Sequence, residues 1–230
     1  MDEELRLWLD GEMQDYGVAL KRFNRRLMKK VPLWMALSVA GMVALGFGVG
    51  YDWGYVLRVH LLIGVGFAAF LWLCFWLQAR GVSVKKARRQ YEQCLGSLSS
   101  ADQAAFARQG AQCGRADFFN PASEKYPARL LIGPDYWLYF RGSCQVFRVA
   151  DIQSLSAKQE TARVGYSLGD TRVRQNLGVG VSLVAEYREG TAAAKSGPGK
   201  IFLEDAKQLD EARQLIRQYC PKAGRLFEKE

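Results

Sequence analysis

Residues 31–51 read VPLWMALSVAGMVALGFGVGY and residues 55–77 read YVLRVHLLIGVGFAAFLWLCFWL. The first run has no charge, and the second is apolar apart from Arg58 and His60 near its start. Either is long enough to cross a hydrocarbon core of roughly 30 Å as a helix rising about 1.5 Å per residue. The alternative, two helices buried in a soluble core, needs apolar cover on every side, and a chain of 230 residues has too little to supply it. The runs are read as two transmembrane helices, 31–51 and 55–78, joined by a short external loop at 52–54. Trp34, Tyr51, Trp53, Tyr55, Trp72 and Trp76 bracket them, and amphipathic rings favour the headgroup level.

Charge changes abruptly on either side of the spans. Residues 31–79 hold two charged side chains, Asp52 and Arg58, whereas the rest of the chain holds 53 of the 55. That division excludes a uniformly soluble globule, a disordered chain and a collagen-like fibre. Positions 21–30 carry six Lys or Arg and positions 80–89 carry five, with no acid in either stretch. The positive-inside rule then puts both termini in the cytoplasm of a multi-pass protein of the cell (inner or plasma) membrane. Residues 1–20 are acidic and lack a cleavage site, so the first span is expected to stay in place. The net charge of +9 divides as +1 for residues 1–30, 0 for 31–79, +5 for 80–115 and +3 for 116–230. The excess hugs the membrane, which argues against nucleic acid as a partner.

Within the spans, Arg58 and His60 lie within a turn or two of the outer interface and are read as anchors that reach the headgroups. Ala36, Ala40, Ala44 and Gly48 recur at four-residue spacing in the first span, as do Gly64 and Ala68 in the second. Small residues let helices approach closely in lipid. They are read as the contact between the two spans, a homodimer face being the alternative.

Before the membrane, residues 1–30 form an amphipathic helix. Leu9, Met13, Tyr16, Leu20, Phe23 and Leu27 step by 4-3-4-3-4 along it. After it, residues 79–124 hold juxtamembrane helices and a linker. Lys85–Leu98 is helical, a second helix starts at Ser99 or Ser100 by a capping-box pattern, and 114–127 is linker. The two membrane-proximal helices are expected to pack together, with a homodimeric coiled coil as the sharper alternative.

From Arg129 the texture is that of short strands and turns: RLLIG, YWLYFR, CQVFRV, Ile152–Ala157, a polar stretch at 159–176 with TARVGYSL as its best strand, VGVSLVAEYREG and KIFLED. A helix follows from Asp205 to Pro221. In YWLYFR, Tyr136, Leu138 and Phe140 share one face and Trp137, Tyr139 and Arg141 the other. YWLYFRGSCQVFRVADIQSL, VGVSLVAEYREG and FLEDAKQLDEARQLIRQYCP carry a resemblance to bacterial membrane proteins that join a two-helix hairpin to a pleckstrin-homology-like (PH-like) domain. The resemblance implies an α+β membrane protein with a PH-like β-barrel or sandwich at 125–221, closed by one α-helix, and a tail at 222–230. It implies a membrane-bound interaction module and carries over no catalytic residues.

Chemistry is sparse. The single histidine is His60, which excludes Ser-His-Asp and Cys-His mechanisms from the C-terminal domain. The five cysteines show no C-x-x-C spacing and are read as free thiols. Gly190 to Ser196 lacks the glycine before its lysine that a phosphate loop requires. No cofactor, metal site or enzymatic activity is expected. The expected function is binding of a protein or peptide by the PH-like module, with Tyr139, Arg141 and Arg148 as exposed-face candidates. Anionic headgroup binding through Arg129, Arg141 and Arg148 is the first alternative. A small subunit of a transporter or envelope complex, assembled through the hairpin, is the second.

Overall fold

The computed structural model describes residues 3–81, 83–118, 127–168 and 171–227, and for residues 27, 78–81, 111, 160–168 and 171–179 it describes the backbone alone. One helix, α1 (Glu3–Gly48), contains both the N-terminal amphipathic segment and the first apolar run. It continues through Pro32, which has no N–H to donate to the preceding turn. Gly50, at φ 89°, reverses the chain. Asp52 then caps α2 (Trp53–Tyr55), its Oδ2 accepting from the Tyr55 N–H at 3.1 Å. A π-helical turn, Val56–His60, leads into α3 (Leu61–Gly81). The His60 ring lies 5.3 Å from that of Tyr51 and 5.8 Å from that of Tyr55. Gly46 makes the space, since a Cβ there would stand 2.9 Å from the imidazole.

The α1 and α3 segments are long and apolar enough to cross a membrane, and only 11% of each apolar window is buried. They pack together, but the contact differs from the expected one. Gly64 and Ala68 are buried, and a Cβ on Gly64 would come within 3.1 Å of the Val39 Cα. Ala36, Ala40, Ala44 and Gly48 are exposed. Close approach needs small residues on one helix only. Along the apolar runs α3 supplies Gly64 and Ala68, and Val39 and Met42 of α1 stand against Gly64.

Two further helices follow, α4 (Val84–Gly96), capped by Ser83, and α5 (Ser100–Gln109), capped by Ser99. Among the described residues, seven strands then form two antiparallel sheets. The first holds β1 (Gly114–Phe118), β2 (Ala128–Ile132), β3 (Tyr136–Phe140) and β4 (Cys144–Arg148) in that order. The second holds β5 (Ile152–Leu168), β6 (Thr171–Tyr187) and β7 (Gly199–Leu203). A 3₁₀ turn at Val149–Asp151 joins the sheets, and no ladder connects β4 to β5, so the expected barrel is not closed. The chain ends in α6 (Ala206–Tyr219), capped by Asp205, and a short α7 (Pro221–Gly224).

The central strands of the first sheet, β2 and β3, are buried on both faces. Leu130, Ile132, Trp137, Tyr139 and Phe147 join the second sheet and α6 residues Leu209, Ala212 and Ile216 in one core. Leu131, Tyr136, Leu138 and Phe140 pack on a second core built from Leu5, Leu9, Met13 and Tyr16 of α1, Ala87, Tyr91 and Leu95 of α4, and Phe106 of α5. At about 1.5–3 kcal/mol for each fully buried large apolar side chain, this second layer is a main stabilising contact. The 4-3-4 stripe of α1 is thus consumed inside the chain. Its last expected member, Leu27, falls outside the described side chains.

Three boundaries move. β1 lies inside the stretch expected to be linker, whose residues 119–126 fall outside the described part of the chain. Ala223 and Phe227 belong to the domain core, so 222–227 is not a loose tail. The polar 159–176 stretch belongs to two long strands, paired from Ile152↔Tyr187 to Leu168↔Thr171 with irregularities near Ser154 and Arg163.

Candidate functional site

The residues expected to form a binding face do not form one. Arg129 is 1% exposed and sits between β2 and α1. It makes a two-pronged contact with Asp117 of β1, Nε to Oδ1 at 2.6 Å and Nη2 to Oδ2 at 2.8 Å, while Nη1 donates to Glu12 Oε1 at 2.7 Å. Its guanidinium also stands 5.2 Å from the centre of the Tyr16 ring. Arg115 brings a second cation to Glu12, at 3.0 Å, and pairs with Asp15. Burial pushes the Glu12 carboxyl above its ordinary range, against the pull of Arg129 and Arg115. Burial also works against the Arg129 charge, but Asp117 and Glu12 outweigh it and raise its pKa. This cluster clamps α1 to the first sheet, and Arg129 is not available to a headgroup.

Tyr139 is likewise buried, and its hydroxyl donates to the Phe202 carbonyl of β7 at 2.7 Å. Arg141 stacks over the Phe202 ring at 4.1 Å. Those two side chains therefore tie the first sheet to the second. Arg148 is exposed, 3.9 Å from Asp102. The alternation of faces in β3 was readable. What the pattern could not show is that helices cover the face opposite the core.

A second polar anchor, unmarked in the sequence, fixes α5 to the β2–β3 turn. Gln109 Oε1 accepts from the backbone N–H groups of Asp135 and Tyr136, each at 3.1 Å, and its Nε2 donates to the Tyr136 carbonyl at 2.9 Å. The Tyr136 hydroxyl donates to Asp102 Oδ1 at 2.5 Å. Hydrogen bonds from Tyr136 and Ser99 hold the Asp102 carboxyl below its usual range. Burial, with Asp102 beside it, pushes the Tyr136 phenol up to about 12.

The second sheet is uneven in width. β7 pairs only with Val181–Ala185 of β6. Beyond it β5 and β6 continue as a two-stranded ribbon from Glu160↔Gly180 to Leu168↔Thr171, about 30 Å long at about 3.3 Å per residue. Its register segregates residue types. Val164, Tyr166, Leu168 and Val173 share one set of alternate positions with Thr171 and Gln175, and Arg163, Arg172 and Arg174 lie in the other. Among the described residues, no strand pairs with the free edge of β5. At the end of β6 away from the ribbon, Glu186, Tyr187, Ala194, Gly197 and Pro198 line an open hollow of about 270 Å³. No protein-family model, curated protein or solved structure matches the chain.

Proposed function

We propose that the chain is a membrane-anchored interaction module of PH-like architecture that receives an extended protein or peptide segment along the β5–β6 ribbon. The observation that carries this reading is the ribbon itself. An isolated two-stranded hairpin is marginal in water; among the described residues no strand pairs with the β5 edge of this one, and one set of its alternate positions is mostly apolar. Strand addition would satisfy the edge, with side-chain pockets at alternate positions giving selectivity. The 4+3 strand arrangement with a closing helix supports the PH-like assignment. The two exposed apolar helices support a hairpin in the bilayer, and the flanking cations support cytoplasmic termini.

The test replaces residues 161–179 by Asn-Gly, a two-residue turn suited to a hairpin, and leaves the core strands intact. Full-length protein extracted from native membranes in mild detergent is expected to carry a stoichiometric protein partner. The shortened protein is expected to lose that partner while keeping its unfolding midpoint. Retention of the partner by the shortened protein would place the interaction elsewhere.

A second reading rests on a separate observation. Lys21, Arg22, Arg25, Lys29 and Lys30 of α1 and Lys85 and Arg89 of α4 are exposed on helices that pack together. Such a collar suits anionic headgroups better than Arg129 does. Replacing Lys29, Lys30 and Lys85 by Gln is then expected to reduce co-purified anionic lipid without loss of the protein partner.

A further inference from the structure

The register of the β5–β6 ribbon sorts charge as well as shape. From Arg163 to Leu168 on β5 and from Thr171 to Asn176 on β6, the strands hold three arginines and no lysine or acid. Arg163 pairs with Asn176, Gly165 with Arg174 and Ser167 with Arg172. Alternate residues of a strand share a face, so the three cationic positions fall on one side of the ribbon. Val164, Tyr166, Leu168 and Val173 fall on the other with Thr171 and Gln175, none of which is charged. The nearest acids in sequence, Glu160 and Asp170, stand at the two ends of this stretch.

We propose, resting on the reading of the ribbon as a strand acceptor, that the segment it receives is an acidic peptide. Its carboxylates alternate with apolar residues, and it lies along β5 with its Asp and Glu on the face that holds Arg163, Arg172 and Arg174.

The backbone edge and the charge pattern select this partner together. A strand edge presents N–H donors and C=O acceptors in one row. A phosphate offers acceptors alone, so a lipid headgroup or a nucleic-acid backbone leaves the edge carbonyls unpaired, whereas a peptide strand satisfies both. The side-chain period of a strand is two, so the same faces meet whether the added strand runs parallel or antiparallel to β5. Residues opposite Arg163, Gly165 and Ser167 then lie on the arginine face, and those opposite Val164, Tyr166 and Leu168 lie on the apolar face. Opposite charges across a strand pair are favourable and like charges are not. Arg172 and Arg174 stand two strand spacings from the added strand, about 10 Å, which is about one screening length at 0.1 M salt. Ser167 and Gly165, the residues between, carry little side chain to fill that gap.

The test uses the full-length chain in mild detergent and two fluorescein-labelled peptides, Gly-Glu-Val-Glu-Val-Glu-Gly and its lysine counterpart Gly-Lys-Val-Lys-Val-Lys-Gly, titrated by fluorescence anisotropy. The acidic peptide is expected to bind at least about tenfold more tightly than the lysine peptide, with a preference that shrinks as sodium chloride is added. This comparison needs no variant. Arg163→Gln, Arg172→Gln and Arg174→Gln together are expected to abolish the preference, and Glu at the same three positions to invert it, with the unfolding midpoint as the control for folding. The protein with residues 161–179 replaced by Asn-Gly is expected to bind neither peptide. Equal binding of both peptides to the wild type, lost in the shortened protein, overturns the acidic partner while leaving the strand acceptor standing. Binding that persists in the shortened protein overturns both. The proposal also falls if the acidic peptide does not bind the wild type, or if its preference survives the Gln substitutions. Binding in phosphatidylcholine nanodiscs that disappears when half the lipid is phosphatidylglycerol would assign the arginines to headgroups instead.

Discussion

Arg129 shows how much one side chain can hold. It touches α1 through Glu12 and Tyr16 and β1 through Asp117, and it is almost wholly buried. Arg129→Ala leaves two carboxylates without their main counter-charge, a loss that typically costs about 3–5 kcal/mol. Chemical unfolding of the full chain in detergent is expected to show it. Arg129→Lys is expected to rescue little, because an ammonium cannot reproduce the fork on Asp117. At Asp102 the prediction is one of pH. A carboxyl held below its usual range contributes stability that is complete above the unfolded pKa of about 4. That contribution is lost as pH falls through the lowered folded value. Asp102→Asn is expected to cost about 1–3 kcal/mol at pH 7, with the difference from wild type shrinking towards pH 3. A difference independent of pH would show that the ionised carboxylate is not what Tyr136 and Ser99 stabilise. Neither cluster was legible, because an arginine in RLLIG reads as a surface residue until Glu12 is known to stand against it.

Most single elements follow from local pattern, and the failures are instructive. Asp205 with Gln208, Ser99 with Asp102, and the alternation in YWLYF each specify what the structure contains. β1 was missed because GRADF offers one bulky apolar residue, and only its pairing with β2 makes it a strand. The small residues of α1 were misread for a related reason, since spacing does not say which face meets a neighbour. Two substitutions separate the faces. Gly64→Leu forces a side chain into the Val39 backbone and is expected to destabilise the hairpin by about 1–3 kcal/mol. Ala40→Leu points into open space and is expected to leave the thermal midpoint of the monomer unchanged. A change in oligomeric state with Ala40→Leu would mark that outer stripe as a contact between copies.

At the scale of the molecule, the N-terminal segment is part of the domain that lies a hundred residues further on. Removing residues 3–20 would take away one of the three helices that cover Leu131, Tyr136, Leu138 and Phe140. The truncated protein is expected to bind a hydrophobic dye and to lose cooperative unfolding. A truncated protein that stays monomeric and unfolds at the wild-type midpoint would show that the second sheet and α6 suffice. The hairpin-plus-domain plan was visible in composition, but the layer joining them was not, because each partner carries only half of that contact.

α1 has a mechanical consequence. From Pro32 back to Glu3 it extends about 43 Å at about 1.5 Å per residue, and its far half is bolted to a sheet. It is a lever whose fulcrum is the rung that proline leaves empty. With the apolar half seated in a bilayer as proposed, a change of tilt of about 10°, small against the range that such helices adopt, sweeps the distal end through about 7 Å. Bilayer thickness would then be transmitted to the domain as displacement.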